Sequence, residues 1–484
     1  MKEIRKRVQE WIAVHRGSLA EEICELVRIR SVADKTASVG PYGQGCRDAV
    51  DKYMEICHRH GLEVENHGYQ VAEAYHSGWG DRRERIGLMG HLDVVPEGSG
   101  WNWPPYEGII KDGWILGRGA QDNKGPCLAA LYTLLCLRDL GVELKHDIRA
   151  LAGTNEENGM EDADYYASCC QTPDFTLVVD SPFPICYGER GILEAWMIAD
   201  DAFSGQVLDF YGGQVSSQVP GEATLKLADW EETRKKLEER EGMKEGCGWE
   251  TQDGAIVLRA VGKGGHVAFP EKTENAILVL LNFVLERGLL CEESDRRILE
   301  AVYRMALRTD GSGAGIACQD DVSGSLVCGC GIVKVEDHKV WFNLNARCPV
   351  TADGEALLER MRVCAKESGF RLGNTRLLRA NYYPKEEPVI QALDQTFRKV
   401  TGLDWKPQIF HAGTHARRMP NAVAYGPGCL DGTVCPPSPW PAGHGGAHQP
   451  NEAQSIDCLC LAIEIYVLAI LEIDGLDLKE KESR

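Results

Sequence analysis

Residues 117–152 read GRGAQDNKGPCLAALYTLLCLRDLGVELKHDIRALA, and this stretch decides the fold. Glycines at its start let the chain turn tightly, and the apolar-rich residues 123–140 that follow predict a buried helix. Residues 147–152 predict a short strand. Two further strands are predicted at 86–89 and 175–179. Strands that alternate with helices in this way indicate an α/β sheet that is partly parallel.

Length and charge limit the kind of protein. A chain of 484 residues suggests two domains. Its formal net charge of −20 argues against nucleic acid and anionic membrane as partners, because both require a basic surface. At the N-terminus Glu3 and Arg5 interrupt any apolar signal region, and two amphipathic helical segments broken near Gly17-Ser18 fit better. The apolar residues 458–473 are too few to span a bilayer. We therefore expect a cytoplasmic protein.

The sequence pattern changes after Tyr187. Residues 1–188 and 380–484 carry the alternation of strands and helices, whereas 189–379 has strand-like segments such as 223–227 followed by two helical stretches. We therefore predict one discontinuous α/β domain that is interrupted by an inserted α+β domain.

The chain has 19 cysteines, which are scattered along it. Cys127 and Cys136 lie in a helical apolar pattern, as do Cys458 and Cys460. Because no secretory signal is present, we expect most of the cysteines to be reduced thiols packed as small apolar side chains. Three closely spaced pairs leave a disulfide, a structural zinc ion or a redox role open, although none has paired C-x-x-C spacing. Those pairs are Cys169–Cys170, Cys328–Cys330 and Cys429–Cys435.

Six acidic or imidazole side chains recur along the chain, most of them at the end of a predicted strand. They are His91, Asp122, Glu156, Glu157, Asp180 and His448. Each alone has a simpler explanation, such as a helix cap, a solvated acidic loop or a turn. Together they supply two imidazoles, three carboxylates and a spare glutamate, which is the inventory of a site for two zinc ions. Nitrogen and oxygen ligands also accept manganese or cobalt.

Neighbouring residues add detail to this candidate site. His91 and Asp93 point to the same side of an extended backbone, so Asp93 can accept the second imidazole N–H of His91. The two adjacent glutamates diverge, so one can bind metal while the other reaches a water molecule. His444 and His448 are four residues apart, but the two glycines between them make a helix unfavourable, and we expect one ligand at most.

The motifs resemble those of the zinc-dependent aminoacylase/carboxypeptidase/dipeptidase metallopeptidase superfamily, and within it most closely the bacterial dipeptidases of the peptidase V type. The likeness covers nearly the whole chain, and the motifs occur in the family order. They are GHLDVVP (90–96), GRGAQDNKG (117–125), GTNEENG (153–159), VVDS (178–181), GKGGHVAFPEKTENA (262–276), NARCP (345–349), GTHARRMPNAVAYGP (413–427) and AHQPNE (447–452).

The resemblance implies a di-zinc catalytic domain with a mixed, mostly parallel sheet, formed by 1–188 and 380–484, and a lid domain inserted at 189–379. It implies that Asp93 orients His91 and that Glu156 is the general acid and base. It assigns the metal ligands in three groups: His91 with Asp180, Glu157 with His448, and Asp122 as the bridge between the two ions.

Residues outside the metal motifs match the family's substrate contacts. His266 resembles a histidine that reaches over the metals to polarise the scissile carbonyl. Arg347 and Arg417, with Thr414 in the same motif as Arg417, resemble residues that hold the carboxylate end of the substrate, for which a planar guanidinium is suited.

The chain departs from the family pattern at two places. Related lids usually have Asn-Met-Val-Pro where this chain has Ser217-Gln218-Val219-Pro220, so an expected amide contact to substrate is shortened or lost. The stretch Cys429–Gly443 is longer than usual and rich in proline, glycine and cysteine. Neither departure involves a predicted metal ligand.

These roles predict hydrolysis of the amide bond of a dipeptide, or a similar small substrate with a free carboxylate, through a metal-bridging water and Glu156. An N-acyl (acetyl or succinyl) amino acid deacylase would share the metal motifs, and a catalytically silent small-molecule-binding protein would keep the fold. A thiol-based redox protein is suggested by the number of cysteines alone. The large lid favours a dipeptidase, and peptidase V-like relatives favour a monomer.

Overall fold

The computed structural model describes residues 2–79, 84–238, 246–427, 440 and 443–478. The chain folds into two compact units. Unit 1 consists of Met1–Gly188 and Tyr383–Arg484, and unit 2 consists of Glu189–Tyr382. The functions assigned to the two parts, catalytic domain and lid, stay predictions.

The helices in chain order are α1 Lys2–Val27, α2 Gln44–Arg59, α3 Lys124–Asp139, α4 Glu161–Cys169, α5 Glu231–Glu238, α6 Ala276–Glu286, α7 Glu293–Leu307, α8 Gly354–Glu367, α9 Pro388–Thr401 and α10 Ile456–Ile473. Short 3₁₀ turns occur at Ser77–Trp79, Pro270–Lys272, Ser312–Ala314 and His415–Arg417.

The strands in chain order are β1 Glu63–His67, β2 Val71–Tyr75, β3 Arg85–His91, β4 Ile109–Lys111, β5 Trp114–Leu116, β6 Asp147–Gly153, β7 Phe175–Val178, β8 Cys186–Glu189, β9 Gly191–Ala199, β10 Val207–Gly212, β11 Gln218–Val219, β12 Glu222–Ala228, β13 Cys247–Gln252, β14 Ala255–Val261, β15 Gly265–His266, β16 Gln319–Asp320, β17 Gly324–Ser325, β18 Val327–Glu336, β19 Lys339–Cys348, β20 Phe370–Leu378, β21 Asn381–Tyr382, β22 Gln408–Phe410, β23 Ala422–Ala424 and β24 Ala453–Ser455.

The main sheet of unit 1 has the strand order β1-β2-β6-β3-β7-β23-β8. Its centre is parallel, because β6, β3, β7 and β23 run in the same direction. Antiparallel pairs flank this centre at β1–β2, β2–β6 and β23–β8. The predicted fold class, α/β with a mixed sheet, is confirmed, with the parallel strands at the centre of the sheet.

Helix α3 lies at the centre of unit 1. It packs against β3 and β6 on the sheet and against α1 and α10 on its other side. Residues 124–137 of α3 are all buried, as is most of α10. A helix that is apolar on all sides gains stability only by burial on all sides, which explains its place between the sheet and two further helices.

Unit 2 contains an antiparallel sheet with the strand order β13-β14-β12-β10-β18-β19-β9-β20. Helix α6 packs against β12 and β14, and α8 packs against β9 and β20. Leucine, isoleucine, valine and phenylalanine side chains between sheet and helices form one continuous core. Strands and helices that pack in this way make unit 2 an α+β structure.

One local prediction was wrong. The expected break near Gly17-Ser18 is absent, because α1 continues from Lys2 to Val27 and its buried residues, such as Trp11 and Ile23, pack against α3 and α10. Burial of this face outweighs the cost of about 1 kcal/mol for a glycine inside a helix. Cys458 is disulfide-bonded and is an exception among cysteines that are mostly reduced thiols, as expected.

The remaining cysteine predictions divide into two groups. Sixteen cysteines of the described residues are free thiols, and many of them, including Cys127 and Cys136, are buried. Cys429, Cys435 and most of the stretch Cys429–Gly443 lie outside the described residues. Among the helices that the structure describes, none combines the length and hydropathy needed to cross a bilayer.

Candidate metal centre

The predicted ligands gather where the parallel strands of unit 1 end. Strand β3 ends at His91, which lies opposite Gly153, the last residue of its parallel neighbour β6. Glu156 follows β6 by three residues, and Asp180 follows β7 by two. Because the carboxyl ends of parallel strands meet at one edge of a sheet, these side chains reach the same place.

Asp122 lies between the two predicted histidine ligands. Its Oδ1 is 3.1 Å from Nε2 of His91, and its Oδ2 is 3.1 Å from Nε2 of His448. His448 Nε2 is also 2.9 Å from Glu157 Oε1, and His91 Nε2 is 3.6 Å from Asp180 Oδ2. Nε2 of each histidine therefore faces Asp122 and one further carboxylate. These pairs are the same as the ligand groups that the family resemblance implies.

The loop around His448 has an unusual backbone. His448 has a φ of 61°, in the left-handed region that residues other than glycine seldom adopt. Hydrogen bonds from Gly445 N to Pro450 O, 3.0 Å, and from Gln449 N to Gly446 O, 3.1 Å, hold this conformation. Such strain is found most often at functional sites. The other histidine of this loop, His444, contacts the side-chain amide of Asn451 at 2.8 Å instead.

Asp93 fixes the backbone of the two adjacent glutamates. Its Oδ1 accepts the N–H of Glu156 and its Oδ2 accepts the N–H of Glu157, both at 3.1 Å. The predicted contact between the Asp93 carboxylate and the His91 ring is present, but it is the longer of two contacts to Asp93. His91 Nδ1 is 2.9 Å from the main-chain oxygen of Asp93 and 3.4 Å from its Oδ1. The main-chain oxygen is thus the nearer acceptor for the His91 ring, while the carboxylate holds the glutamate loop.

Asn123 connects three parts of the centre and was missed in the sequence, although it lies in the quoted motif 117–125. Its Nδ2 donates to Asp180 Oδ1 and to Val179 O, each at 3.0 Å. Its Oδ1 accepts the N–H of His91 at 3.3 Å. A buried amide with these three bonds fixes the orientation of Asp180 relative to β3.

The close packing of acids and imidazoles shifts their pKa values. Hydrogen bonds to Asp122 and Glu157 raise the pKa of His448 to about 10. Burial, followed by the charge of Asp122, raises the pKa of Glu157 to about 7. Burial and the charge of Asp180 raise the pKa of Glu156 well above its usual range. Several carboxyl groups therefore compete for ionisation in one small volume.

The donor set fits divalent cations. Among the described residues, His91, Asp122 and Glu157 offer ligand atoms that all lie within 4.8 Å of one another, and so do His91, Glu156 and Asp180. Imidazole nitrogens with carboxylate oxygens suit zinc, and they also suit manganese or cobalt. A cation at this place would also neutralise carboxylates that otherwise disfavour joint ionisation.

A cavity of about 400 Å³ opens over these residues. Its volume falls in the range of small-molecule sites, about 300–1,000 Å³. Four acidic side chains line it together with neutral polar, imidazole and apolar groups. The lining residues are Gln121, Asp122, Asn123, Pro126, Glu156, Glu157, Val179, Asp180, Ser181, Pro182, Phe410, Ala412, Gly413, Thr414, Ala447 and His448.

The predicted substrate residues of unit 1 lie on one turn. Thr414 lines the cavity and begins the 3₁₀ turn, where its side chain accepts the N–H of Ala416 at 3.1 Å. The Arg417 Nη2 donates to Ala412 O at 3.1 Å. A Cβ at Gly413 would overlap the Arg417 guanidinium, so any other residue there would displace the end of the Arg417 side chain. Arg417 itself does not line the cavity.

A buried pair next to this turn was also missed in the sequence. His415 Nε2 is 3.1 Å from Asp162 Oδ1, and both side chains are fully buried. Asp162 Oδ2 accepts the N–H groups of Thr154, at 2.7 Å, and Asn155, at 3.0 Å. The pair therefore connects the turn at 414–417 with the loop that leads to the glutamates.

Unit 2 holds His266, which is predicted to be catalytic, and Arg347, which is predicted to bind substrate. His266 ends β15, which pairs with β11. His266 therefore lies opposite Gln218, in the segment Ser217–Pro220 where the sequence differs from the family pattern. Arg347 is buried on β19. Burial, followed by the positive charge of Arg347, lowers the pKa of His266, so the two side chains influence each other.

Comparison with known proteins identifies the family. Residues 87–472 match the model of peptidase family M20/M25/M40. The chain belongs to this family. A Beta-Ala-Xaa dipeptidase from Lactobacillus delbrueckii subsp. lactis is 29% identical over 477 residues, which cover 96% of this chain and 98% of the relative.

Solved structures of M20 peptidases share the fold. Human carnosine dipeptidase 1 matches with a TM-score of 0.54 at 15% identity, covering 98% of this chain and 99% of that one. The M20 family metallo-carboxypeptidase Sso-CP2 from Sulfolobus solfataricus matches with a TM-score of 0.55 at 16% identity, covering 93% and 98%. At these identities the likeness concerns the fold alone.

Membership in the M20 family establishes the class of this protein. It is an enzyme, a metallopeptidase with dipeptidase-like relatives, and its family implies a divalent metal cofactor. The resemblance to metallopeptidases seen in the sequence is thus confirmed. The number and identity of the metal ions and the roles of single residues stay predictions.

Proposed function

We propose that this M20 peptidase hydrolyses the amide bond of dipeptides, or similar small substrates with a free carboxylate, with Glu156 as general acid and base. One observation carries the proposal. Asp122 presents one oxygen to each of two histidines, and Glu156 lines the same cavity beside them. A carboxylate shared between two imidazole groups with a further glutamate nearby suits hydrolysis at paired metal ions.

Five residues would hold the metals. His91 and Asp180 would bind one ion, Glu157 and His448 the other, and Asp122 would contact both. Divalent ions, zinc in our proposal and manganese or cobalt as alternatives, supply Lewis-acid polarisation of the scissile carbonyl and lower the pKa of water when bound. The separation of Asp122 Oδ1 and Oδ2 toward different histidines supports this division.

Glu156 would move the proton. Its main-chain N–H is held by Asp93, which leaves its side chain to line the cavity. We propose that its carboxylate accepts a proton from the attacking water and then donates it to the nitrogen of the leaving amine. Glu156 also offers a ligand atom within 4.8 Å of those of His91 and Asp180. Its possible roles as metal ligand and as proton carrier are distinguishable, because metal binding requires the ligand but does not require the proton carrier.

Residues that are not proposed to bind metal would hold the substrate. Thr414 lines the cavity and would contact the substrate end nearest to it. Arg417 and Arg347 are proposed to bind the substrate carboxylate, and His266 to polarise the scissile carbonyl. The proposals for Arg417, Arg347 and His266 rest on the family motifs in which these residues occur.

The second candidate is an N-acyl amino acid deacylase, because the same centre would cleave an acylated amine. The similarity to a relative named Beta-Ala-Xaa dipeptidase favours the dipeptidase over the deacylase as the function of this chain. The test is a hydrolysis screen of unblocked dipeptides against N-acetyl and N-succinyl amino acids, each with chelator or with added zinc, manganese or cobalt. We expect chelator-sensitive cleavage of the free dipeptides. Cleavage of the acylated set alone would show a deacylase, and no cleavage with any metal would contradict the proposal.

A further inference from the structure

Glu452 is a fully buried carboxylate at the end of the AHQPNE motif, just before β24. Its Oε1 accepts three main-chain N–H groups, from Gly119 at 3.0 Å, Gln121 at 2.9 Å and Asp122 at 3.0 Å. Its Oε2 accepts Nη1 of Arg118 at 2.6 Å. All four donors belong to the turn that carries Asp122, so this turn is wrapped around one side chain.

The backbone of Glu452 is tied to the same region. Gly117 N donates to Glu452 O at 2.9 Å. Directly after it, β24 pairs with β5, with Ala453 opposite Leu116. The Glu452 side chain therefore approaches the turn from a fixed position on a neighbouring strand and has little freedom to move away from it.

The segment before Glu452 carries His448. Hydrogen bonds from Gly445 N to Pro450 O and from Ala453 N to Gly445 O, both 3.0 Å, close this segment into one loop. Its His448 Nε2 lies 3.1 Å from Asp122 Oδ2. Glu452 thus joins the loop that presents His448 to the turn that presents Asp122.

We propose that Glu452 is a positioning residue of the metal centre. Its carboxylate fixes the main chain of Asp122 relative to His448, and this keeps one oxygen of Asp122 toward each histidine. The inference rests on the metal centre of the proposed function. Groups that orient metal ligands from behind change metal affinity or activity by about 10–100-fold when they are removed.

A buried carboxylate of this kind also stabilises the fold, so the experiment has to separate the two effects. Asp474 provides a matched control in the same unit. It is also buried, and it accepts the N–H groups of Lys145 and His146, at 2.9 and 2.9 Å, and contacts His146 Nδ1 at 3.0 Å. It makes none of the contacts that hold the Asp122 turn.

The test compares Glu452→Gln with Asp474→Asn in the full chain. The apparent Kd for zinc is measured by competition with a chromophoric chelator, and the melting temperature is measured on the metal-free protein. We expect both variants to lower the melting temperature, and Glu452→Gln alone to weaken zinc binding, by about 10–100-fold. An unchanged zinc Kd in folded Glu452→Gln would overturn the inference.

A second variant covers the case in which Glu452→Gln does not fold. Glu452→Asp keeps the charge but withdraws the carboxylate by one methylene group, so it cannot keep all three amide bonds. We expect weaker zinc binding, and parent-like zinc binding would again overturn the inference. If the parent hydrolyses no dipeptide while zinc binding still falls in the variant, the proposed substrate is wrong and the role of Glu452 stands.

Discussion

At the scale of single residues, the geometry of the centre depends on side chains that do not themselves have to bind metal. Asp93 holds the main chain of the two adjacent glutamates, and Asn123 holds Asp180. Each is buried and has its hydrogen-bonding groups occupied by the residues it orients. Preorganisation of this kind lets ligands keep their places before an ion arrives.

Replacing Asn123 by alanine should weaken metal binding. The change removes the bonds to Asp180 Oδ1, Val179 O and the His91 N–H, so Asp180 loses its fixed orientation. We expect the apparent zinc Kd to rise by about 10–100-fold in a chelator competition.

The control for this prediction is Asn282→Ala in unit 2. Asn282 Oδ1 accepts the hydroxyl of Tyr303 at 2.8 Å, so its replacement also removes a partly buried side-chain hydrogen bond. Its zinc Kd should equal that of the parent. Equal zinc affinity in Asn123→Ala and Asn282→Ala would show that Asn123 does not position Asp180.

His266 should titrate below the usual pH range of histidine. Burial and the charge of Arg347 both disfavour the imidazolium form, so the His266 ring stays neutral until the solution becomes more acidic than its ordinary pKa. Replacing Arg347 by glutamine removes the positive charge and should move the pKa of His266 upward. NMR of the histidine ring signals, assigned with His266→Asn, checks both points. A pKa unchanged by Arg347→Gln would show that the two side chains do not interact.

Sequence alone identified side chains with a distinctive chemistry, and it missed those whose role depends on tertiary contacts. Most of the six acidic and imidazole residues stand out because they follow apolar strands. His415 and Asp162 pair across 253 positions of the chain, and no local pattern indicates that pairing. Asn123 and Glu452 lie inside quoted motifs, so their motif positions were the available signal, but only the folded geometry gives their hydrogen bonds.

At the scale of elements, replacing either of two glycines by alanine should change the stability of the protein, in opposite directions. A Cβ at Gly153, the last residue of β6, would overlap the carboxylate of Asp162 and lie 2.7 Å from Cε1 of His415. Gly153→Ala should therefore destabilise the protein by about 1–3 kcal/mol, because the buried Asp162–His415 pair has to move. Chemical denaturation of the metal-free protein measures this, and parent-like stability would contradict the close packing at β6.

Gly17→Ala should instead increase the stability of the protein. Gly17 lies inside α1, is exposed, and has no heavy atom within 4 Å of the position that a Cβ would take. Alanine in a helix interior is favoured over glycine by about 0.5–1 kcal/mol. The same denaturation experiment should show a gain in stability, and a loss would mean that α1 is not one continuous helix.

The elements were predictable where pattern and packing agree. Residues 123–140 and 147–152 gave α3 and β6 within two residues at each end, because their apolar pattern matches their burial. The continuity of α1 was not predictable. It depends on packing against α3 and α10, which lie far away in sequence.

At the scale of the whole molecule, metal binding should stabilise the folded chain. The proposed ligands come from separate segments, around residues 91, 122, 157, 180 and 448, so an unfolded chain cannot present them together. With free zinc at about 100 times its Kd, we expect about 2.7 kcal/mol of added stability. Calorimetric melting with chelator and then with zinc measures the shift. An identical melting curve in both conditions would mean that no metal binds the folded form preferentially.

Glu156 is proposed to carry protons at a metal centre that other residues hold, and the variant Glu156→Gln separates these two roles. Glutamine keeps the size of the side chain but cannot accept and return the proton. We measure kcat on a dipeptide that the parent cleaves, together with the metal content of the same preparation. The expected result is parent-like metal content with kcat reduced by about 10²–10⁴-fold. Near-normal kcat, or loss of metal together with activity, would contradict the claim.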